Sequence, residues 1–286
     1  MNTNHILTLS CKNRPGIVAD VSGFLFGVGA DIREAQQFDD EETGRFFMRV
    51  VFDLADESDS LENIQAGFKP VVEKFGMQWQ MRARSQKKKA LFLVSKADHC
   101  LGDLLYRTRI GELNVDVVGI VSNHPKSALN LTTIGDIPYH HFPITKESKP
   151  QQEAQIKAVV EETGAELIVL ARYMQILSND MAKYLEGRCI NIHHSFLPGF
   201  KGARPYHQAH ARGVKMIGAT AHFVTSDLDE GPIIAQDVES ISHSDSPDNL
   251  VRKGRDVERR TLAKAVHYFL DDRVLINGSK TVVFND

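Results

Sequence analysis

Apolar and polar residues alternate from His5 to Ser10, after which Ile17, Val18, Val21, Phe24 and Leu25 recur at the spacing of one helical face. The turn between them, Lys12-Asn13-Arg14-Pro15-Gly16, places Pro15 where a helix begins, because the N–H it lacks would have no helical partner there. Gly27 and Gly29 supply the irregular backbone that ends this helix. Two strands, 31–38 and 45–52, flank an acidic, Gly-containing turn, and the second is rich in aromatic and β-branched residues. A polar stretch, 56–60, precedes the amphipathic run 61–75, and 77–84 alternates again as a last strand. The order βαββαβ predicts a small ferredoxin-like sheet with helices on one face.

The pattern then breaks at Arg84-Ser85-Gln86-Lys87-Lys88-Lys89, which reads as a linker carrying a solvated charge run. Beyond it, strand and helix alternate. Strands are expected at 90–94, 115–122, 165–171 and 189–193, and helices at 101–110, 151–163 and 178–185, with 128–135 helix-like or irregular. Continuous apolar strands separated by helices predict a mainly parallel, Rossmann-like sheet covered on both faces. The fold class is therefore α/β, with domains at 1–84 and 90–286 and a linker at 85–89. In such sheets ligands lie beyond the carboxyl ends of the strands, so chemistry is expected just after Ala171 and Ile192.

Composition narrows the classes. With 42% hydrophobic and 25% charged residues over 286 positions, the chain has the make-up of a soluble globular protein. A net charge of -3 gives no basic excess for nucleic acid, and neither a secretory signal nor a membrane-spanning apolar run is evident. Cys11, Cys100 and Cys189 are odd in number and widely spaced, which fits a reducing cytoplasm better than disulfides or a zinc site. His207 and His210 share a helical face, yet no third ligand spacing accompanies them, and no metal is expected.

Two stretches carry the candidate chemistry. In Asn191-Ile192-His193-His194-Ser195-Phe196-Leu197-Pro198, alternation puts Asn191 and His193 on one face of an extended segment. In His222-Phe223-Val224-Thr225-Ser226-Asp227-Leu228-Asp229-Glu230-Gly231-Pro232, a strand runs into an acidic Gly-Pro turn, where Asp229 is the better-placed carboxylate. Singly, these residues also suit a strand end, a satisfied core histidine and a turn cap.

Together, and with Gly202 and the residues through Gln208 between them, the two stretches resemble the formyltransferase and formyl-hydrolase superfamily that uses 10-formyltetrahydrofolate. The resemblance implies a catalytic set of Asn191, His193 and Asp229, with His222 at a recurrent neighbouring position. Attack on a formyl carbon develops negative charge on oxygen. An Asn amide donates to that oxygen without titrating, and losing such a donor typically costs about 3 to 4 kcal/mol of barrier. Imidazole, with an ordinary pKa of about 6.5, either stabilises the oxyanion as a cation or exchanges protons. A carboxylate beside it orders water and carries protons, the part that falls to Asp229. The superfamily places its pterin pocket at the loop that maps onto Leu170 to Leu177, which implies Met174, Gln175, Ile176 and Leu177 as substrate contacts. Thr225 and Asp227 are further candidates on the pterin side.

Formyl transfer to glycinamide ribonucleotide needs a phosphate cradle, a Gly-rich loop after the first strand of the catalytic domain. Here Val94 to Leu101 lacks glycine before the helix and carries the acidic Asp98. This variant, with Arg14 to Val18, Gln36 to Asp39 and Gly44 to Arg49, resembles the formyltetrahydrofolate deformylase family, which transfers the group to water. The resemblance implies formate and tetrahydrofolate as products, formate supply to purine and one-carbon metabolism, and no cofactor, the folate being the substrate. The N-terminal module resembles an ACT domain, implying an amino-acid effector near Asn13 to Gly16, where a plain helix start is the equal alternative, and a homo-oligomer. A formyl transferase and a catalytically silent folate-binding regulator are the competing readings. Transfer to an added amine would mark the first, and folate binding without turnover the second.

Overall fold

The computed structural model describes residues 4–54, 60–130, 134–197 and 205–285. Most of the polar stretch 56–60, part of the segment 128–135, and Pro198 and Gly202 of the sequence motifs lie outside these residues. The chain forms two compact units. Residues 1–87, 271–275 and 282–286 make the first, and 88–270 with 276–281 make the second.

In the first unit, β1 (His5–Lys12), α1 (Ile17–Gly27), β2 (Ala30–Asp40), β3 (Arg45–Leu54), α2 (Leu61–Phe75) and β4 (Gln78–Ala83) follow the expected βαββαβ order. The sheet runs β2-β3-β1-β4, antiparallel throughout. Leu7, Leu9, Val50 and Phe52 pack with Val21 and Leu25 of α1 and Phe68 of α2 in one buried cluster. The turn differs from expectation in one detail. Pro15 precedes the helix, and Gly16 caps it at φ 95°, a left-handed backbone that glycine adopts without a Cβ clash.

The other face of this sheet is not left to solvent. Arg49 on β3 is fully buried and donates to the carboxylate of Asp271 at 2.9 Å, to the Asp271 carbonyl at 3.1 Å and to Glu34 at 3.0 Å. Arg84 and Arg273 reach the same Asp271 carboxylate at 2.8 Å, and Arg82 pairs with Asp272. Residues 271–275 and 282–286, which the sequence reading leaves inside the 90–286 domain, therefore belong with the N-terminal sheet, the first tied to it by ion pairs that no apolar pattern reveals and the second by the Gln36 amide donating to the Asn285 carbonyl at 3.0 Å.

The second unit holds β5 (Lys88–Val94), α3 (His99–Arg109), β6 (Val115–Ser122), β7 (Tyr139–His141), α4 (Lys149–Thr163), β8 (Leu167–Leu170), α5 (Asn179–Tyr184) and β9 (Cys189–His193). It continues through α6 (Pro205–Ala211), β10 (Met216–Phe223), β11 (Ile233–Ser240) and α7 (Pro247–Leu270). Beyond α7 lie β12 (Val274–Asn277) and β13 (Lys280–Val283), which pair with each other. The main sheet runs β11-β10-β9-β8-β5-β6-β7, parallel from β9 to β7 and antiparallel at β10 and β11. Chain order reverses direction at β5, which has β6 on one side and β8 on the other, and this opens a crevice beyond the strand ends.

Lys88 corrects the picture of a solvated charge run. It is the first residue of β5, buried, with Nζ donating to the Phe269 carbonyl at 3.1 Å and lying over the Phe269 ring. A lysine with an aliphatic stem and one satisfied tip is compatible with a strand start.

Candidate active site

The ends of β8, β9 and β10 and the start of α3 surround a cavity of about 660 Å³, lined on its remaining sides by α6 and α7. That volume lies within the roughly 300–1,000 Å³ of small-molecule sites. All ten candidate residues, Met174 to Leu177, Asn191, His193, His222, Thr225, Asp227 and Asp229, line it.

Local sequence explains how the polar cluster is assembled. On β9, Asn191 and His193 share a face, and the antiparallel register sets His222 of β10 opposite Asn191. A register shift at Ala221/His222 relieves β10 from strict pairing with β11, the kind of irregularity that re-aims a side chain. The chain then doubles back. A Cβ on Gly231 would lie 1.8 Å from the Phe223 carbonyl oxygen, so only glycine permits this turn, and Asp229 within it sits at φ 58°. Such a left-handed, non-glycine backbone is uncommon and is typical of constrained functional positions.

The resulting contacts define the protonation pattern. His193 Nδ1 lies 3.1 Å from Asp229 Oδ2, and His222 Nε2 lies 3.7 Å from Asp229 Oδ1. Burial favours the neutral carboxyl, but His193 and then His222 outweigh it and hold Asp229 well below the usual carboxylate range. An ionised carboxylate only accepts, so His193 carries its proton on Nδ1. Its Nε2 is buried and has no protein partner among the described residues. His222 Nδ1 donates to the Phe223 carbonyl at 2.8 Å; in the neutral ring Nε2 accepts from the Asn191 amide at 3.3 Å, and in the charged ring its proton faces Asp229 instead. Among the described residues, one amide hydrogen of Asn191 remains for another acceptor.

The formyl transferase family profile matches residues 88–266, and the ACT domain profile matches 5–66. A formyltetrahydrofolate deformylase from Corynebacterium sp. (strain P-1) is 50% identical over 98% of this chain and 97% of its own length. The chain belongs to the formyltetrahydrofolate deformylase family. The crystal structure of a Burkholderia mallei deformylase superposes with a TM-score of 0.94 at 53% identity, covering 99% of this chain and all of that one. Glycinamide ribonucleotide transformylase 1 from Symbiobacterium toebii matches at TM-score 0.63 and 26% identity, over 72% of this chain and 97% of its own. In this chain the formyl transferase match and the ACT match fall on separate stretches, one in each compact unit.

Several features of this deformylase-family cavity were open in the sequence. Simple core packing accounts for Leu177, which packs against the main core, but not for Met174 and Ile176, which are 55% and 62% exposed. Two apolar side chains presented to solvent at a cavity wall suit a flat ligand. The Met174 amide donates to Ser95 Oγ at 3.0 Å, which fixes the loop against the end of β5. At the start of α3, Asp98 is buried with its carboxylate bonded to the Asn130 amide, and the loop before the helix has no glycine to wrap a phosphate. Among the described residues no helix is long and apolar enough to cross a membrane.

Five residues that sequence reasoning did not single out form a second polar group beside the first: His99, Arg172, His194, Tyr206 and Glu258. Glu258 is buried in α7 and accepts from Tyr206 at 2.6 Å, meets His99 Nε2 at 2.7 Å and lies 3.3 Å from Arg172 Nε. Gly254 makes room for this, since a Cβ there would lie 2.1 Å from the Tyr206 ring. The available signal was a glutamate on the buried stripe Leu250, Gly254, Val257, Glu258, Thr261. His99, Cys100 and Glu258 also bring three donor atoms within 4.8 Å of one another. They do not fit a cation. Glu258 is already engaged by two donors and a guanidinium, and burial, then Glu258, keep the Cys100 thiol protonated.

His194 yields a stability prediction. Burial first, then the charges of Arg172 and His193, lower it to about 4. An imidazole that stays neutral in the folded chain but titrates near 6.5 when unfolded makes the unfolded state bind more protons between those values. Stability should therefore fall as pH drops from about 6.5 toward 4, on the order of 2 to 4 kcal/mol from this group. Urea unfolding across that range should show a shallower slope for His194→Phe than for the parent, and equal slopes would remove the contribution.

Proposed function

We propose that the cavity hydrolyses 10-formyltetrahydrofolate to formate and tetrahydrofolate, with Asn191, His193 and Asp229 acting on water and the formyl group. The observation that carries this reading is the Asn191–His222 and His193–Asp229 pairing at the strand ends of a single cavity. The free amide hydrogen of Asn191 is a donor for the developing oxyanion, a role usually worth about 10²–10³ in rate. With Nδ1–H committed to Asp229, His193 offers Nε2 as an acceptor when neutral and as a second oxyanion donor when protonated. Asp229 orders the attacking water and passes its proton toward the departing folate nitrogen.

Substrate contacts are assigned to Met174, Gln175, Ile176 and Leu177, with His222, Thr225 and Asp227 opposite. The exposure of Met174 and Ile176 supports this, as does the Thr225 hydroxyl's bond to the Asp227 carbonyl, which shapes that side of the wall. Water as the acceptor is supported by the deformylase relatives and by the lack of glycine between Val94 and the start of α3. We further assign an amino-acid effector and self-association to the ACT domain, where the largely exposed β2 forms a sheet edge. A cytoplasmic setting is consistent with Cys11, Cys100 and Cys189, which are all free.

The test is direct. Purified protein given 10-formyltetrahydrofolate without an amine should release formate and tetrahydrofolate in equal amounts. Transfer that appears only with an added amine would make the chain a transferase, and folate binding without turnover would make it a silent regulator.

A further inference from the structure

We propose that the buried Glu258–Arg172 pair is a positioning device that holds His194 as a neutral, flat support for the ring of His193. The kinetic part of this idea rests on the hydrolase reading, whereas the state of His194 does not. Arg172 Nη1 lies 2.7 Å from His194 Nδ1, and a guanidinium only donates, so His194 Nδ1 must be bare and the proton must sit on Nε2. The His194 ring stacks on His193 with centroids 5.1 Å apart and planes 18° from parallel. The ring whose Nδ1 faces Asp229 is thus backed by a second ring of fixed tautomer.

Arg172 is itself held with care. It follows β8 at φ 64°, a left-handed backbone that a long side chain avoids unless its surroundings impose it. Its carbonyl accepts from the Ser95 amide at 3.2 Å, its amide donates to the Leu170 carbonyl at 3.0 Å, and its guanidinium lies against Glu258. Glu258 is oriented in turn by His99 of α3 and Tyr206 of α6. Three helices therefore converge to place one guanidinium on one imidazole nitrogen.

The neutrality of His194 has a chemical purpose in the proposed reaction. Were it protonated, two imidazolium rings would stack face to face whenever His193 carried charge, which would oppose the charged form of His193. The groups facing His194 are Arg172 after β8, His193 on β9, Asp229 in the turn after β10, Tyr206 on α6 and Glu258 on α7. Arg172 is the cation that supplies both the hydrogen bond and the repulsion. Removing it lets His194 take up a proton in the range where the enzyme works.

The experiment uses full-length protein with isotope-labelled histidine, compared as the parent, Arg172→Met and Arg172→Met/His194→Phe, the last also identifying the His194 signals. In the parent, nitrogen shifts should show a bare Nδ1 and a protonated Nε2 for His194 at pH 7, with no protonation down to pH 5. In Arg172→Met its titration should move up by about one pH unit or more, and the acid limb of kcat should follow it. At neutral pH kcat should fall about tenfold while KM stays within about threefold, because the pair orients a ring and does not grip substrate. The double variant, with a flat ring that cannot titrate, should return the acid limb to the parental position.

The proposal is overturned if parental His194 carries its proton on Nδ1 or titrates above pH 6. It is equally overturned if Arg172→Met leaves both the titration and the acid limb unmoved. Should Arg172→Met fail to fold, the parental spectra decide the matter alone. A protein that shows the titration shift but releases no formate would support the positioning device and sink the hydrolase reading.

Discussion

Asp229→Asn is expected to fold, to bind folate within about threefold of the parent, and to lose formate release by about 10³-fold, the middle of the range for general acid–base groups. Asparagine keeps the shape, tolerates the left-handed backbone at φ 58° and retains an oxygen to accept from His193 Nδ1. What it lacks is the charge. The depressed pKa of Asp229 shows that the folded site favours the anion, through His193 and His222, despite the opposition of burial. Without that anion His193 loses the charged partner of its Nδ1–H, and the water loses its proton acceptor. Steady-state kinetics beside a folate titration separate the two effects, and near-normal turnover with intact binding would remove Asp229 from the mechanism.

The second large effect concerns stability. Asp271→Ala should destabilise the N-terminal unit by about 3 to 5 kcal/mol, the usual cost of breaking a buried ion pair from one side. The Asp271 carboxylate accepts from Arg49 at 2.9 Å, from Arg84 at 2.8 and 3.0 Å and from Arg273 at 2.8 Å. Its removal leaves Glu34 to face Arg49 and Arg273, and Arg49 has no access to water. Burial already lowers the Arg49 pKa, against the pull of Asp271. Urea denaturation followed by the fluorescence of Trp79, the single tryptophan, which packs on Phe68 in that unit, reports the change directly. A loss under about 1 kcal/mol would mean that the network carries little net stability, as exposed ion pairs do.

Much of this was legible in residue order. Both periodicities were clear where a strand or helix buries one face or all of itself, so β1 to β4, α1, α2 and the parallel strands β5, β6, β8 and β9 stand close to where the pattern predicts them. The elements left unread are those whose signal is diluted. β7 spans three residues with two histidines, and the buried stripe of α7 is crowded by Arg252, Lys253, Arg255, Arg259 and Arg260 and contains a glycine and a glutamate. The same holds for the candidate site. Asn191, His193 and Asp229 belong to motifs of local spacing, whereas Arg172, Tyr206 and Glu258 are far apart in sequence and meet only through tertiary packing. A positive φ at an arginine leaves no mark in composition, and neither does a glycine whose purpose is to admit a tyrosine ring.

The arginines of β3 and β4 are made early on the ribosome, and two of the carboxylates they meet, Asp271 and Asp272, follow about two hundred residues later. Until Asp271 and Asp272 have emerged, Arg49 has Glu34 as its one carboxylate among these and Arg82 lacks its ion pair with Asp272, while the whole of β5 to α7 is being synthesised. Chains generally fold from the N-terminus as they appear, but this unit cannot finish in that order. Its completion is a late event, which makes residues 271–275 a condition of maturation. A nascent chain stalled before Asp271 would be the species most exposed to chaperones and proteases.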